Sequence, residues 1–288
     1  MKITESASGK VVLFGEHAVV YGHPSIVAAI DKRLFVTITS RHSGSSRISE
    51  RYDNRFIQSA CDIFKSTFNV DFDEIRIQTR SEFEGISGLG SSGAVTVALI
   101  KALSRFFKIP LTQKELFDLC YQAVKKVQPK GSGIDIAASV YGGVLLYKNK
   151  LVCPVGLSVN NLFSQLLVCS TGIKADSEKL LDTVSRFKNK EIVFDQMDNI
   201  TNQAVVALEK NDWQQVGELM NQQHALLQTM GVSSEKIEKL VSSARASGTY
   251  GAKLSGGGGG DCIIVLVSPD KKEQVRESLI QNGGILVV

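Results

Sequence analysis

The sequence predicts an α+β protein of two domains, and this prediction depends on three observations. At 288 residues the chain is long enough for two domains of ordinary size. A glycine-rich turn at 88–93 joins a strand-like run at 75–79 to a helical pattern at 94–107. After a largely helical stretch, the end of the chain runs strand, strand, helix and strand, an order typical of a sheet with helices on one face.

The first third of the chain predicts strands, a loop and a helix. Residues 9–40 contain strand patterns interrupted by a glycine-rich turn, and the polar residues 41–55, rich in Ser and Arg, predict a surface loop. Apolar residues at helical spacing predict a helix over 94–107, and Pro110 ends it because proline cannot continue the hydrogen-bond ladder.

A capping-box pattern marks the next helix. Thr112 and Glu115 have the required spacing, so we expect a helix from there to about Val127. After a break at 129–133, a short helical segment precedes an apolar strand at 144–147.

The second half begins after a connecting region at 150–165. A strand is predicted at 166–169, followed by helices with interruptions from about Ala175 to Met230. The remaining predicted elements are strands at 250–255, 262–267 and 285–288 and a helix at about 270–281.

Composition and charge limit the class of function. The net charge of +4 is spread along the chain without a Lys/Arg block, which weakly supports a small anionic substrate and argues against a nucleic-acid partner. The sequence has neither a signal-peptide pattern nor an apolar run of membrane-spanning length, so we expect a cytoplasmic protein. Without a C-x-x-C pair, the cysteines are expected to be reduced core residues: Cys61, Cys120, Cys153, Cys169 and Cys262.

The turn at 88–93 has the form G-x-G-x-x-G and opens into a helix, a combination suited to binding phosphate. A dinucleotide fold would need a second strand ending in an acidic residue about twenty positions later, but a helix capped by Thr112 is predicted there. The alternative is a strand-to-helix turn without a ligand. Two adjacent hydroxyls, Ser91 and Ser92, favour a role with phosphate or magnesium.

Polar residues in apolar surroundings mark three further segments. Lys10 enters a hydrophobic strand that leads into Gly15, Glu16 and His17. Asp135 follows a hydroxyl-bearing turn, and its alternative role is that of a helix N-cap. Residues 253–255 precede five consecutive glycines and then Asp261, a segment whose alternative is a long hairpin loop.

Taken together, these segments resemble the GHMP kinases, with motifs at 9–22, 88–93 and 253–261 in the family's order. Residues 15–22 (GEHAVVYG) are most similar to mevalonate kinases. The resemblance implies a GHMP kinase fold, with an α/β domain at 1–155 that carries a left-over-right glycine-rich phosphate loop. A ferredoxin-like α+β domain would follow at 156–288, with ATP and substrate between the domains.

The resemblance also implies roles for individual residues. Asp135 would be the catalytic aspartate and Lys10 the active-site lysine, while Ser92 would contact magnesium. The phosphate-binding residues would be Gly88, Leu89, Gly90, Ser91, Ser92 and Gly93, and the substrate-binding residues Glu16, His17, Ser255 and Gly256. The implied reaction is phosphorylation of the primary alcohol of mevalonate with ATP and Mg²⁺, in isoprenoid precursor synthesis. A homodimer is a further expectation of the family.

The pattern departs from mevalonate kinases at two places. Val124 stands where those enzymes usually carry a metal-binding glutamate, eleven positions before the catalytic aspartate. Residues 129–133 (PKGSG) look more like bacterial phosphomevalonate kinases, as does Gly93. The lysines that precede Asp135 would suit a phosphorylated acceptor, or they simply end a helix: these are Lys125, Lys126 and Lys130.

Three hypotheses therefore stand. The first is a mevalonate kinase, and the second is a phosphomevalonate kinase acting on 5-phosphomevalonate. The third is a GHMP-fold ligand sensor without catalysis, which is supported only by the missing glutamate. Intact Lys10 and Asp135 and the glycine turns argue against the sensor.

Overall fold

The structure is a computed structural model that describes residues 1–40, 54–71 and 75–288. The surface loop predicted at 41–55 lies outside the described residues except for its last two positions, which begin a helix. The strands are β1 Lys2–Phe14, β2 Ser25–Ser40, β3 Ile75–Ser81, β4 Val144–Lys148, β5 Leu151–Pro154, β6 Leu166–Ser170, β7 Gly251–Ser255, β8 Cys262–Leu266 and β9 Ile285–Leu286.

Helices account for more of the described chain than strands do. They are α1 Asn54–Phe68, α2 Ser91–Phe106, α3 Gln113–Val127, α4 Ile134–Tyr141, α5 Val159–Gln165, α6 Ser177–Arg186, α7 Lys190–Glu209, α8 Trp213–Thr229, α9 Glu235–Ala246 and α10 Lys272–Gln281. The α+β class is confirmed, as are the helices predicted over 94–107 and from Thr112 to Val127.

The chain forms two compact units that each draw on separate parts of the sequence. The first unit contains Met1–Lys10, Ala29–Glu84 and Gly90–Gly142, and the second contains Val11–Ala28, Gly85–Leu89 and Gly143–Val288. Because these segments alternate along the chain, residues far apart in sequence come together inside each unit.

The first unit contains a group of helices and a pair of strands that come before and after α1 in the chain. Strand β2 pairs with β3 in antiparallel register, from Leu34 opposite Ser81 to Ser40 opposite Ile75. Helix α2 packs on α1, α3 and α4. It is the central helix of this group, and every residue from Gly93 to Ile100 is buried.

The second unit is built on an antiparallel sheet with the order β7-β8-β6-β9. Helices α8 and α9 pack on β7, while α10 packs on β6 and β9. The first residues of β2 pair with β4, and β4 pairs with β5. The predicted order of strand, strand, helix and strand at the end of the chain is confirmed by β7, β8, α10 and β9.

Several features were missing from the sequence prediction or differ from it. Helix α9 lies beyond the predicted helical stretch, although its buried residues have helical spacing. The region predicted as a connection at 150–165 contains β5 and α5. The prediction that every cysteine lies in the core is wrong for Cys153, which is exposed because β5 is an edge strand. Among the described residues, no helix is both long and apolar enough to cross a membrane.

The capping box at α3 gives a prediction about stability. The Thr112 hydroxyl accepts from the Glu115 N–H at 3.2 Å, and the Glu115 carboxylate accepts from the Thr112 N–H at 2.8 Å. We expect Thr112→Ala to lower the free energy of unfolding by about 1 kcal/mol, because one helix-terminal N–H loses its acceptor. Urea unfolding followed by far-UV circular dichroism measures this change. Thr112→Ser keeps the hydroxyl as a control, and an equal loss in both variants would contradict the capping role.

Candidate active site

The N-terminus of α2 is open to an anion in the way that the glycine turn predicts. Gly90 is its N-cap residue and has no side chain to occupy the first-turn N–H groups. Ser91 and Ser92 follow in that first turn and are half-buried. Uncapped N–H groups and the helix dipole favour a negatively charged group at this point.

Gly90 also brings Lys10 and Asp135 together in the first unit. Its φ of +78° is in the left-handed region, which favours glycine. A Cβ on Gly90 would lie 2.9 Å from Lys10 Cγ and 3.4 Å from Asp135 Cβ. The sequence-predicted lysine and aspartate therefore both pack against the backbone that opens the helix.

Asp135 is held against the first turn of α2 by a backbone hydrogen bond. The Gly93 N–H donates to its carboxylate, and the N–H groups of Asp135 and Ile136 also donate to it. A Cβ on Gly93 would come within 2.7 Å of Asp135 Oδ2, so the carboxylate uses space that any other residue would fill. Gly133 is the N-cap of α4, which excludes the alternative role of Asp135 as the N-cap.

The surroundings of Asp135 act on its pKa in opposite directions. Burial raises the pKa of this carboxyl above its usual range, because the charged form loses solvation. The positive charge of Lys10 and the backbone N–H groups lower the pKa again. Burial is the larger effect, so the carboxylate is a stronger base than an exposed aspartate and remains close to a cation.

The first part of the glycine turn belongs to the second unit. Leu89 is buried, and Gly88 packs against Asp261, whose Cβ would be 2.6 Å from a Cβ on Gly88. The Asp261 Oδ1 accepts from the Ala175 N–H at 3.1 Å. The side chain of Asp261 therefore packs against the turn at Gly88 and bonds to the backbone at Ala175.

Glu16, predicted to bind substrate, forms a buried ion pair in the second unit. Its Oε1 contacts the Lys253 ammonium, and its Oε2 accepts from Gln223 Nε2 at 3.4 Å. Glu16 is 2% exposed and Lys253 0%. Burial raises the pKa of Glu16 and lowers that of Lys253, and the attraction between the two charges opposes both shifts.

His17 lies at the centre of a γ-turn. Its φ of 60° and ψ of −50° place the Ala18 N–H 2.7 Å from the Glu16 carbonyl oxygen. The His17 Nε2 is 2.8 Å from the Gly257 carbonyl, which only accepts, so Nε2 carries the proton. Nδ1 is then an acceptor, and it has no partner among the described residues. Burial lowers the pKa of His17, which favours the neutral ring.

The third glycine segment connects β7 to β8, which pair from Gly251 opposite Leu266 to Ser255 opposite Cys262. It is thus a hairpin loop, the alternative considered from the sequence. Close packing nevertheless requires glycine: Gly258 has a φ of +80°, and a Cβ there would lie 2.0 Å from the Val232 carbonyl oxygen. The Ser255 hydroxyl accepts from the Val12 N–H at 2.9 Å and donates to its carbonyl at 3.0 Å.

Two positions bear on metal and phosphate binding in the first unit. Val124 is buried in α3 and offers no ligand. In the described part of the chain, no group of three or more His, Cys, Asp or Glu side chains is placed to hold a metal. The Lys125 ammonium contacts the Pro129 carbonyl oxygen and lies 5.7 Å from the Tyr121 ring centroid, so it closes the end of α3.

Sequence reasoning found most of these residues but missed the partners of Glu16. The sequence marks Lys253 only as part of a motif, and it does not mark Gln223. A lysine inside an apolar strand next to a glycine run was the available signal. Gln223 lies on a regular amphipathic helix, where its sequence pattern does not distinguish it from a surface residue.

Comparison with known families agrees with this arrangement. The family described as "GHMP kinases N terminal domain" matches residues 55–143, and "GHMP kinases C terminal" matches residues 204–285. The chain therefore belongs to the GHMP kinases, which use ATP as phosphoryl donor.

Relatives with curated names include several archaeal mevalonate kinases. The enzyme of Methanothermobacter thermautotrophicus is 34% identical, with coverage of 92% of this chain and 90% of its own. The enzyme of Thermococcus sibiricus is 32% identical, and the alignment covers 100% of this chain and 96% of that enzyme.

Solved structures of the same fold include mevalonate kinases and a phosphomevalonate kinase. Methanococcus jannaschii mevalonate kinase has a TM-score of 0.85 at 26% identity, covering 100% of this chain and 96% of its own. The L. major mevalonate kinase in complex with R-mevalonate has a TM-score of 0.81 at 28% identity. The match covers 97% of this chain and 91% of that enzyme. Streptococcus pneumoniae phosphomevalonate kinase, in complex with phosphomevalonate and AMPPNP, has a TM-score of 0.87 at 21% identity. The match covers 99% of this chain and 98% of that enzyme, and it shows a shared fold.

Gly90 provides a test of the close packing around Lys10. We expect Gly90→Ala to lower kcat by ~10- to 100-fold, because the added methyl group displaces Lys10 from its place beside Asp135. Steady-state measurement of ADP release gives kcat.

Gly85→Ala is the matched control. Gly85 has the same φ of +78°, and none of the described residues has an atom within 4 Å of its Cβ position. Backbone strain should cost each variant ~1–3 kcal/mol of stability. If both variants lose kcat equally, the contact with Lys10 is not the cause.

Proposed function

We propose that this chain catalyses transfer of the γ-phosphoryl group of ATP to the primary hydroxyl of mevalonate. The observation that carries this proposal is the carboxylate of Asp135, which the Gly93 N–H holds against the N-terminus of α2 with Lys10 nearby. The archaeal relatives named mevalonate kinase support mevalonate as the acceptor, because their similarity covers nearly the whole chain.

Asp135 would act as the proton acceptor of the reaction. As the mevalonate oxygen forms a bond to the γ-phosphorus, its proton passes to the Asp135 carboxylate. The bond between the γ-phosphorus and the bridging oxygen breaks, and ADP leaves with the electron pair. The raised pKa of Asp135 suits this role, since a stronger base accepts a proton more readily near neutral pH.

Lys10 would orient the acceptor oxygen and stabilise the negative charge that develops on it. Phosphoryl transfer depends on positioning and charge neutralisation more than on covalent catalysis. The same charge helps Asp135 to remain ionised, because it lowers the pKa that burial raises.

The phosphates of ATP would lie at the glycine turn, where the first-turn N–H groups of α2 that Asp135 does not occupy would donate to anionic oxygens. The donors present fit a magnesium ion that arrives with the nucleotide, since Mg²⁺ is often held by phosphates and few protein ligands. Ser92 would be its protein ligand, and the ion would neutralise charge on the transferred phosphoryl group.

The residues proposed to bind the acceptor, mevalonate, lie in the second unit. His17 presents Nδ1 as an acceptor without a partner among the described residues, which suits a substrate hydroxyl. Gly256 is proposed to contribute its backbone and Ser255 to support it. Glu16 directs its charge to Lys253, so its contribution to the acceptor would be indirect.

A coupled assay of ADP release with mevalonate and with 5-phosphomevalonate tests the proposal. We expect turnover of mevalonate alone. Lys125 supports this expectation, because its ammonium is engaged at the end of α3. Turnover of 5-phosphomevalonate alone would instead establish the phosphomevalonate kinase hypothesis. Nucleotide binding without transfer to either alcohol would support a sensor.

Asp135→Asn tests the proton acceptor. We expect kcat to fall by ~10²–10⁴-fold, because the amide cannot take the proton, while KM for mevalonate changes little. Ser139→Ala, on the same helix, is the control: its hydroxyl donates to the Ser8 carbonyl at 2.8 Å and has no proposed chemical role. A raised KM with unchanged kcat in Asp135→Asn would assign this residue to binding.

The pH dependence tests the effect of Lys10 on Asp135. Activity requires the ionised carboxylate, so kcat/KM falls as the pH drops through the pKa of Asp135. Since Lys10 lowers that pKa, Lys10→Met should raise it and move the acid limb of the profile to higher pH.

Residual activity of Lys10→Met, measured across the acid range, gives the position of this limb. Lys10→Arg keeps the positive charge and should leave the limb near its wild-type position. An acid limb that stays in place in Lys10→Met would show that another group controls it.

A further inference from the structure

The pair formed by Glu16 and Lys253 is inaccessible to a small molecule in this structure. Both side chains are fully buried, and the Lys253 ammonium also donates to the Leu254 carbonyl at 2.7 Å. The Lys253 ammonium donates to Glu16 and to the carbonyl of Leu254, and the side chain is fully buried, so a substrate cannot reach it. A direct role in binding the acceptor therefore does not fit either charge.

Stability alone is a weak reason for a buried ion pair. Desolvation of two charges largely offsets their attraction, and apolar side chains of similar volume are often as stabilising. Among the described residues, Glu16 is the carboxylate that interacts with Lys253. Burial lowers the pKa of the neighbouring His224 to about 4 against the effect of Glu238, which favours the neutral ring. Each charge in the pair therefore has one charged partner. The pair fixes where the two side chains lie relative to each other.

The pair joins two segments of the second unit, residues 12–17 and residues 253–257. At one end the Ser255 hydroxyl bonds to both backbone groups of Val12. At the other end, His17 Nε2 donates to the Gly257 carbonyl. The ion pair is a further connection between the same two segments, and it fixes the residue directly before His17.

His17 needs such support because its backbone is strained. A γ-turn with positive φ at a non-glycine residue is rare, and such conformations persist only where surrounding contacts determine them. Glu16 supplies the carbonyl oxygen that closes this turn, and its side chain is anchored on Lys253. Removing the anchor would allow the turn to relax and His17 to change its orientation.

We propose that Glu16 and Lys253 form a positioning pair for the phosphoryl-transfer reaction. They hold His17 and the glycine loop in the geometry that receives the acceptor, and they do not bind the acceptor themselves. This inference rests on the proposed function, in which His17 and Gly256 contact the bound acceptor.

The kinetic test uses Glu16→Gln, Lys253→Met and the double variant. Loss of positioning should lower kcat of each single variant by ~10- to 100-fold, with KM for mevalonate within about threefold of wild type. The double variant contains no unpaired buried charge, so its Tm should exceed that of Lys253→Met while its kcat stays low.

A core variant supplies the matched control. Leu279 is buried in α10, outside both joined segments, so Leu279→Ala should lower Tm and leave kcat unchanged well below that temperature. If Lys253→Met behaves like Leu279→Ala, the pair is only structural and the proposal fails. A raised KM with normal kcat in Glu16→Gln would make Glu16 a ligand, and recovery of kcat in the double variant would also overturn the proposal.

A spectroscopic measurement separates this inference from the proposed function. The chain has four histidines, so ¹⁵N-labelled histidine signals can be assigned by single substitutions. Wild type should show His17 protonated at Nε2, and Lys253→Met should show mixed tautomers. An unchanged His17 tautomer in the variants would overturn the positioning role. If wild type fails to phosphorylate mevalonate, the proposed function fails, and the tautomer still decides the role of the pair. Should a single variant not fold, the double variant supplies both readouts.

Discussion

The close approach of Asp135 to the backbone of α2 is the constraint on which the candidate active site depends. The carboxylate accepts from the Gly93 N–H and occupies space that a side chain at Gly93 would fill. Gly90 leaves room for Lys10 on the neighbouring side of the same turn. A helix end suited to an anion, a carboxylate and a cation therefore lie within a few residues of one backbone turn, and glycine makes their proximity possible.

Desolvation has different consequences at the two buried carboxylates. At Asp135 it raises the pKa of a carboxylate that lies against the first turn of α2, which produces a stronger base where a phosphoryl group would arrive. At Glu16 it acts on a carboxylate whose opposite charge, Lys253, is equally buried. The first environment suits chemistry, and the second suits the maintenance of a fixed geometry around His17.

Local sequence signals predicted much of the fold. The capping box at Thr112, the helical spacing before Pro110 and the terminal order of strand, strand, helix and strand all correspond to observed elements. Failures occurred where a pattern was short or where burial depended on the partner element. Cys153 is apolar enough for a core, but its strand lies at the edge of a sheet, and that position follows only from strand pairing.

The sequence by itself determined the family and the residues that form the motifs, because glycine turns, Lys10 and Asp135 are recognisable by type and order. The roles of all the proposed site residues stay predictions: these are Lys10, Asp135, Glu16, His17, Ser255, Gly256 and residues 88–93. Only the tertiary structure decided that Glu16 faces Lys253 and Gln223 and that His17 closes on Gly257. The physical reason is that partners more than two hundred residues away supply these contacts, and no local pattern specifies which buried charges will meet.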